Sequence, residues 1–338
     1  MRLGFSFWGF IGPGITDTPD GGRSWRKTLL NGLATKFQLT LLQENRDLTE
    51  AADDLTGQFS WDAGLPNIDA LFLEWRWPLP GRNTTACGSP GHTCDLHRQQ
   101  ELLDHYTHKL GVPTLIWDLD RTLAPNDPLR RHPAVQILDV AQHPADGART
   151  LLVPVADQAL DRADPRELVA GERIWPLVYV GNQYGRDAAF DRYFAPAARI
   201  HLHQVVGKWT HTEAWPHVHF AGRKGFPESQ RVHRQALTTV LLAPERYART
   251  GAISQRLFEA VLAGCLPFGP TEIRSIDRFV PSALLVSTSD DVTRRVADLR
   301  VSSLDYKAEL LHDCIRRLDP YRASKQVATV VDCLETAL

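Results

Sequence analysis

The sequence predicts two doubly wound α/β domains facing across a cleft, on three observations. Short apolar runs alternate with stretches of helical spacing. The alternation restarts near Ile174 after a polar, highly charged segment. The 338 residues, 43% hydrophobic and 23% charged, suffice for about two packed cores. Strands alternating with helices imply a parallel sheet covered on both faces. The expected division is an N-terminal Rossmann-like domain over residues 1–165, a second over 166–315, and a closing helix over 316–338 that packs back on the first.

In the first half, residues 2–8 read as an apolar strand ending in a Gly/Pro/Thr/Asp-rich loop to Gly22. Trp25, Leu29, Leu30, Leu33 and Phe37 then recur at helical spacing, and FQLTLLQ forms a second strand. IDALFLEW (68–75) is a third. Asp95 reads as the N-cap of a helix with Leu102, Leu103, Tyr106 and Leu110 on one face and Gly111 just past its end; PTLIWDLD completes the series. The charged stretch 157–173 reads as the linker. Beyond it come strand IWPLVYVG, a helical stretch from Asp187, strands ARIHLHQVV and HVHFAG, helix PESQRVHRQA, strand TTVLLAP, helix ISQRLFEAVLAGC and a short LPF run. The pattern from Asp290 is helical.

Lys+Arg 38 against Asp+Glu 40 leaves a formal charge of -2, so no bulk positive field recruits nucleic acid or anionic lipid. No apolar run approaches the roughly 20 residues that span a bilayer. The opening MRLGFSFWGFIGPGI lacks a signal-peptide cleavage site and reads as a buried first strand. Five scattered cysteines, an odd number, suit a reducing, cytoplasmic setting, and Cys265 in its apolar run is expected to be buried. Cys87 and Cys94 bracket a segment containing His92, and with His97 they invite a zinc reading. The C-x-x-C spacing and a second ligand pair are lacking, so a metal-free loop is the expectation. His201, His203, His217 and His219 read as ordinary polar strand positions at spacing two.

In open parallel sheets ligands bind at the carboxyl ends of the strands, so function is sought there. The most specific stretch runs from Gly251 to Phe268. Its helix N-terminus offers unpaired N–H groups to a diphosphate, Arg256 adds a fork of donors that matches phosphate oxygens, and Glu259 one turn on can accept both hydroxyls of a ribose. An exposed Arg256/Glu259 ion pair is the competing structural reading. In the first half, paired glycines Gly21 and Gly22 after Asp20 let backbone N–H groups approach a ligand. Glu74, Arg76, Asp118 and Asp120 lie at strand ends among Trp75, Trp77 and Trp117. Any of these acids could serve as general base, and each has an alternative as partner of a neighbouring Arg.

R-L-F-E-A-V-L-A-G-C-L-P-F resembles the sugar-nucleotide motif of glycosyltransferases with the GT-B fold, in which the Glu contacts the donor ribose. V-Y-V-G-N-Q-Y-G-R (178–186) and G-V-P-T-L-I-W-D-L-D (111–120) resemble strand-and-loop segments of CgeB-like members. The resemblance implies transfer of a sugar from a nucleotide-diphosphate sugar to a hydroxyl of a small-molecule acceptor, such as a natural product or a nucleoside-like compound. It needs no cofactor and no metal, and its acceptor domain comes first and its donor domain second. It implies donor contacts from Gly21, Gly22, Asn182, Arg186, Lys208, Ser254, Gln255, Arg256 and Glu259, with Arg223 and Lys224 as further phosphate partners. Asp20, Glu74, Asp118 and Asp120 are the catalytic candidates, and Trp8, Trp75 and Arg76 would face the acceptor. Where many retaining members carry a Glu eight positions before the ribose Glu, Gly251 stands here, leaving stereochemistry open. Donor base, donor sugar and oligomeric state are open as well.

Two other classes compete. Asp118, Asp120 and Thr122 after an apolar strand match the D-x-D-x-T opening of haloacid-dehalogenase-type phosphatases, with Asp118 as nucleophile, Mg²⁺ alongside, and Lys208 and Asp290-Asp291 as downstream partners. The same D-x-D could chelate a metal on a donor diphosphate, as in GT-A enzymes. A non-catalytic nucleotide-binding interaction protein is the third reading.

Overall fold

A computed structural model describes residues 1–12 and 22–337. The chain divides into two compact units. Unit 1 comprises Met1–Val140, Pro144–Pro154 and the segment from Ala323; unit 2 comprises Ala141–His143 and Val155–Arg322.

Among the described residues, unit 1 holds a seven-stranded sheet of β1 (Arg2–Ser6), β2 (Gln38–Leu41), β3 (Ser60–Trp61), β4 (Ala70–Glu74), β5 (Thr114–Asp118), β6 (Val135–Asp139) and β7 (Arg149–Thr150). Its order is β3-β2-β1-β4-β5-β6-β7, every pair parallel. The winding direction therefore reverses between β1 and β4. Strands β4 and β5 are buried along their whole length, as near-continuous apolar runs in a two-sided sheet should be. One core cluster joins Leu71, Leu73 and Ile116 of the sheet to Leu102, Leu103 and Tyr106. The helix from Ala323 to Ala337 belongs to this unit and packs on the helix Arg26–Ala34.

Unit 2 carries β8 (Trp175–Val180), β9 (His203–Val206), β10 (Ala236–Val240), β11 (Leu266–Pro270) and β12 (Leu285–Val286), all parallel in the order β12-β11-β10-β8-β9. Its winding reverses between β8 and β10. Val178, Val180, Val206, Val232, Ala236, Ala260 and the fully buried Cys265 form one core cluster.

Several expected elements change. Asp95 is the first helical residue, Cys94 is the N-cap, and the Asp95 carboxylate accepts from the Thr93 hydroxyl. The helix Asp95–Leu102 widens into a π-helical segment, Leu103–Lys109, before Gly111. The predicted strand 198–206 shrinks to β9, with Ile200 and Leu202 exposed. HVHFAG is no strand: its only ladder contact is a bridge between Val205 and Phe220, and its alternation serves packing and side-chain bonding. His203 accepts from the His219 amide at 3.0 Å, and His217 Nε2 donates to the Ala195 carbonyl at 2.7 Å. The helix predicted over 253–265 is only Arg256–Val261. The charged stretch 157–173 is not a bare connector. It carries the short helices Asp157–Asp161 and Pro165–Ala170, the second packed on the helix Leu304–Arg317. No helix among the described residues is long and apolar enough to cross a membrane.

Candidate functional site

The carboxyl ends of β8 and β10 bring most of the predicted donor residues of unit 2 together. After β8 the chain turns through Gly181 and Asn182. The Asn182 side-chain oxygen accepts from the Lys208 amide at 2.9 Å, fastening this loop to the one after β9. Trp209 reinforces the junction, its indole N–H donating to the Gly181 carbonyl at 2.8 Å. Arg186, only 7% exposed, spans the reversal point: Nε donates to the Leu242 carbonyl past β10, and Nη1 donates to the carbonyls of Asn182 and Tyr184 past β8. Burial holds its guanidinium below the usual arginine range, and the charges of Arg256 and Arg246 push the same way. Arg256 Nε donates to the Val180 carbonyl at the end of β8. The result is a group of guanidinium ions hydrogen-bonded to carbonyl dipoles at the place where doubly wound sheets take up ligands.

Gly181 makes this arrangement possible. A Cβ at this position would lie 2.3 Å from Arg256 Nε and 2.7 Å from the Tyr179 hydroxyl oxygen. That hydroxyl is buried without a hydrogen-bond partner, an aimed polar group that sequence reading missed because Tyr179 alternates inside an apolar strand. His233 was also missed. It is 1% exposed, and its imidazole is pushed down to about 3, first by burial and then by the charge of Arg256. Ser254 and Gln255 lead into the short helix, with Gln255 its N-cap, and half-buried Glu259 lies in its first turn. A helix this short carries a small macrodipole, so the cationic side chains dominate the field. Lys208 is exposed, and Arg223 and Lys224 follow Gly222, whose carbonyl accepts from the Gly207 amide.

Unit 1 treats its predicted residues differently. Asp20 and Gly21 lie outside the described residues. Gly22 is buried, and the space a Cβ would need is filled by the Arg26 guanidinium, 2.2 Å away at the nearest atom. Glu74 is fully buried in a bidentate pair with Arg26, Nε to Oε1 at 2.8 Å and Nη2 to Oε2 at 2.7 Å. That is the ion-pair alternative of the sequence reading. Arg76 is 2% exposed and bridges the ends of β1 and β4: Nη2 donates to Ser6 Oγ and the Phe7 carbonyl, and Nη1 to the Asp95 carbonyl. Burial lowers its guanidinium to about 10, against the opposing pull of Asp95 and Glu74. Trp8 is buried edge-on against Trp77, ring centroids 4.3 Å apart, while half-buried Trp75 packs on the core.

Asp118 spends both oxygens on the turn after β5, accepting from the amides of Thr122 at 2.8 Å and Leu123 at 3.0 Å, and burial raises its carboxyl. A phosphatase nucleophile must be reached by its substrate, and Asp118, 3% exposed beneath this turn, is poorly placed for that. Asp120, just beyond, is half-buried. Asp47 was not foreseen, because segment 47–66 is weakly patterned. It accepts from the amides of Ile11 and Gly12 past β1, and burial raises its carboxyl.

No family model matches the chain, and no curated protein matches it in sequence. Solved structures match it in shape along its full length. T4 phage β-glucosyltransferase in complex with UDP and Mn²⁺ aligns at TM-score 0.66 and 10% identity, over 99% of this chain and 100% of that one. The same phage protein, described as a DNA modifying enzyme with and without uridine diphosphoglucose, aligns at 0.63 and 10% with the same coverage. HepE of Anabaena in complex with UDP-glucose aligns at 0.56 and 10%, again over 99% and 100%. At such identity the likeness speaks to architecture: this chain has the GT-B fold of two Rossmann-like units that its motifs implied.

Proposed function

We propose that this chain is a glycosyltransferase that moves a sugar from a nucleotide-diphosphate sugar to a hydroxyl of a small-molecule acceptor. The observation that carries the reading is the buried Arg186 beside Arg256 at the reversal point of the unit 2 sheet. When the glycosidic bond breaks, its electron pair stays on the diphosphate, and fixed cations in a desolvated site stabilise that growing charge. With two guanidinium groups already in place, a divalent cation is not required. The buried Tyr179 hydroxyl supplies a further donor beside Arg256, and Glu259 would accept from the ribose hydroxyls. The donor therefore belongs to unit 2 and the acceptor to unit 1.

For the base that takes the acceptor proton, the candidate is Asp120. It follows β5 and is half-buried, whereas Glu74 and Asp118 are 0% and 3% exposed, out of reach of an acceptor. UDP-glucose is the first donor to test, because the structural relatives from T4 phage and Anabaena were both crystallised with it. The formal charge of -2 favours a small acceptor over duplex DNA.

Calorimetric titration with UDP-glucose, with and without Mn²⁺, tests the reading. Binding should be measurable in both conditions and fall at least about tenfold in Glu259→Ala, roughly the loss of one or two hydrogen bonds to a charged group. Asp120→Asn should keep donor affinity and lose about 10²–10⁴ in turnover, the range of general base catalysis. Absence of binding to UDP-, GDP- and TDP-sugars would sink the proposal. Turnover on double-stranded DNA that falls steeply with salt would replace its acceptor class.

A further inference from the structure

Cys87, His92, Cys94 and His97 lie in the loop after β4 and at the start of the helix Asp95–Leu102. One ligand atom from each falls within 4.8 Å of all the others. The sequence reading counted Cys87, Cys94 and His97 and expected a metal-free loop; the fold adds His92 and closes the set. We propose that these four side chains form a structural zinc site.

The donor set is two thiols and two imidazoles, which suits zinc, and four protein ligands complete its tetrahedron with no position left for substrate. With Zn–S of about 2.3 Å and Zn–N of about 2.0 Å, the edges of such a tetrahedron measure about 3.3–3.8 Å. Cys87 Sγ and His97 Nδ1 are already 3.2 Å apart, so the remaining closure takes about 1 Å of side-chain movement.

His92 is prepared for the role. Its Nδ1 lies 2.9 Å from the Thr85 hydroxyl, and its Nε2 is buried with no hydrogen-bond partner. A proton on Nδ1, donated to Thr85, leaves the Nε2 lone pair for a metal, the outer-shell arrangement that fixes tautomer and ring orientation in metal-binding histidines. The backbone is shaped to match. Two successive turns, Ser89 N–H to the Ala86 carbonyl and His92 N–H to the Ser89 carbonyl, reverse the chain between the first two ligands. Gly88 and Gly91 take φ of 82° and 75° there, where a side chain would be strained.

The site would fasten the loop to the first turn of the helix. The same segment holds Trp77 and Arg76: Asn83 donates to the Trp77 carbonyl at 3.0 Å, and Arg76 donates to the Asp95 carbonyl at 3.0 Å. Zinc therefore stiffens the carboxyl end of β4. The proposal is independent of the glycosyltransferase reading, and sulfur ligation separates it from any cation held by diphosphate oxygens.

The full-length chain, purified without a tag or chelator, should contain about one equivalent of zinc by elemental analysis, as a single closed site requires. Exchange with Co²⁺ should give the intense visible bands of a tetrahedral thiolate site, unaffected by Mn²⁺. Cys87→Ser and Cys94→Ser should each weaken those bands and shift them, and Thr85→Ala should lower cobalt affinity about 10–100-fold as an outer-shell change. Should a cysteine variant fail to fold, the wild-type spectrum and its loss on chelation decide the matter alone. Three results would overturn the proposal: a metal-free protein whose visible spectrum stays featureless on adding Co²⁺, a Cys87–Cys94 disulfide in the reduced-purified protein, or a cobalt spectrum unchanged in the double cysteine variant.

Discussion

His233 shows how one buried side chain ties stability to pH. It lies in the helix Phe226–Arg234 with Nδ1 unpaired, and burial together with the nearby Arg256 keeps it neutral down to about pH 3. In the unfolded chain its pKa returns to about 6.5. Between these values the unfolded state binds the extra proton, so stability is fully present above pH 6.5 and is lost as pH falls towards 3, at about 1.4 kcal/mol per unit. Urea unfolding at pH 7.5 and pH 5.0 should show wild type losing about 2 kcal/mol more than His233→Leu; equal losses would mean that His233 is protonated in the folded protein. Nothing in the sequence marked this histidine, because its neutrality comes from residues that only the fold brings near. Glu74 teaches the same lesson. It reads as a strand-end acid, but its partner Arg26 is 48 positions away and seals it completely. Arg256 and Glu259 could be named as candidates from the sequence because their spacing is local, and the structure does place both on the short helix Arg256–Val261.

Elements that are buried on both faces, such as β1, β4, β5 and β8, were legible as apolar runs. The two-residue edge strands β3 and β7 and the partly exposed β6 were not, since half-exposed pairs at a sheet margin leave no pattern to read. HVHFAG misled for the opposite reason: its alternation serves side-chain bonds to His203 and Ala195, and no ladder forms. The junction between β8 and the helix Arg256–Val261 depends on the missing side chain at Gly181. Gly181→Ala should displace the Arg256 guanidinium from the Val180 carbonyl, because the new methyl would meet it at 2.3 Å. UDP-glucose affinity should then drop by about tenfold or more, the worth of one charge-assisted contact, with the melting temperature changing little beside that loss. An unchanged affinity would mean that Arg256 does not hold the diphosphate.

At the scale of the whole molecule, the chain leaves unit 1 for unit 2 and returns to it at Ala323, so the last helix completes a core begun three hundred residues earlier. Val327, Val330 and Leu334 are buried in it, Val327 fits against Gly32 of the helix Arg26–Ala34, and Gln326 accepts from the Leu152 amide at 2.8 Å. The ion pair between Arg149 and Asp332 is exposed and adds little. Burying three such side chains is worth about 1.5–3 kcal/mol each, or about 5–9 kcal/mol together. That is comparable to the whole net stability of an ordinary domain, about 5–15 kcal/mol. Deleting residues 323–338 should therefore unfold unit 1 selectively. Hydrogen exchange on the shortened chain should show amides of β1, β4 and β5 losing protection while those of β8 and β10 keep it. Retained protection throughout unit 1 would mean that the closing helix is an accessory to a core already stable without it.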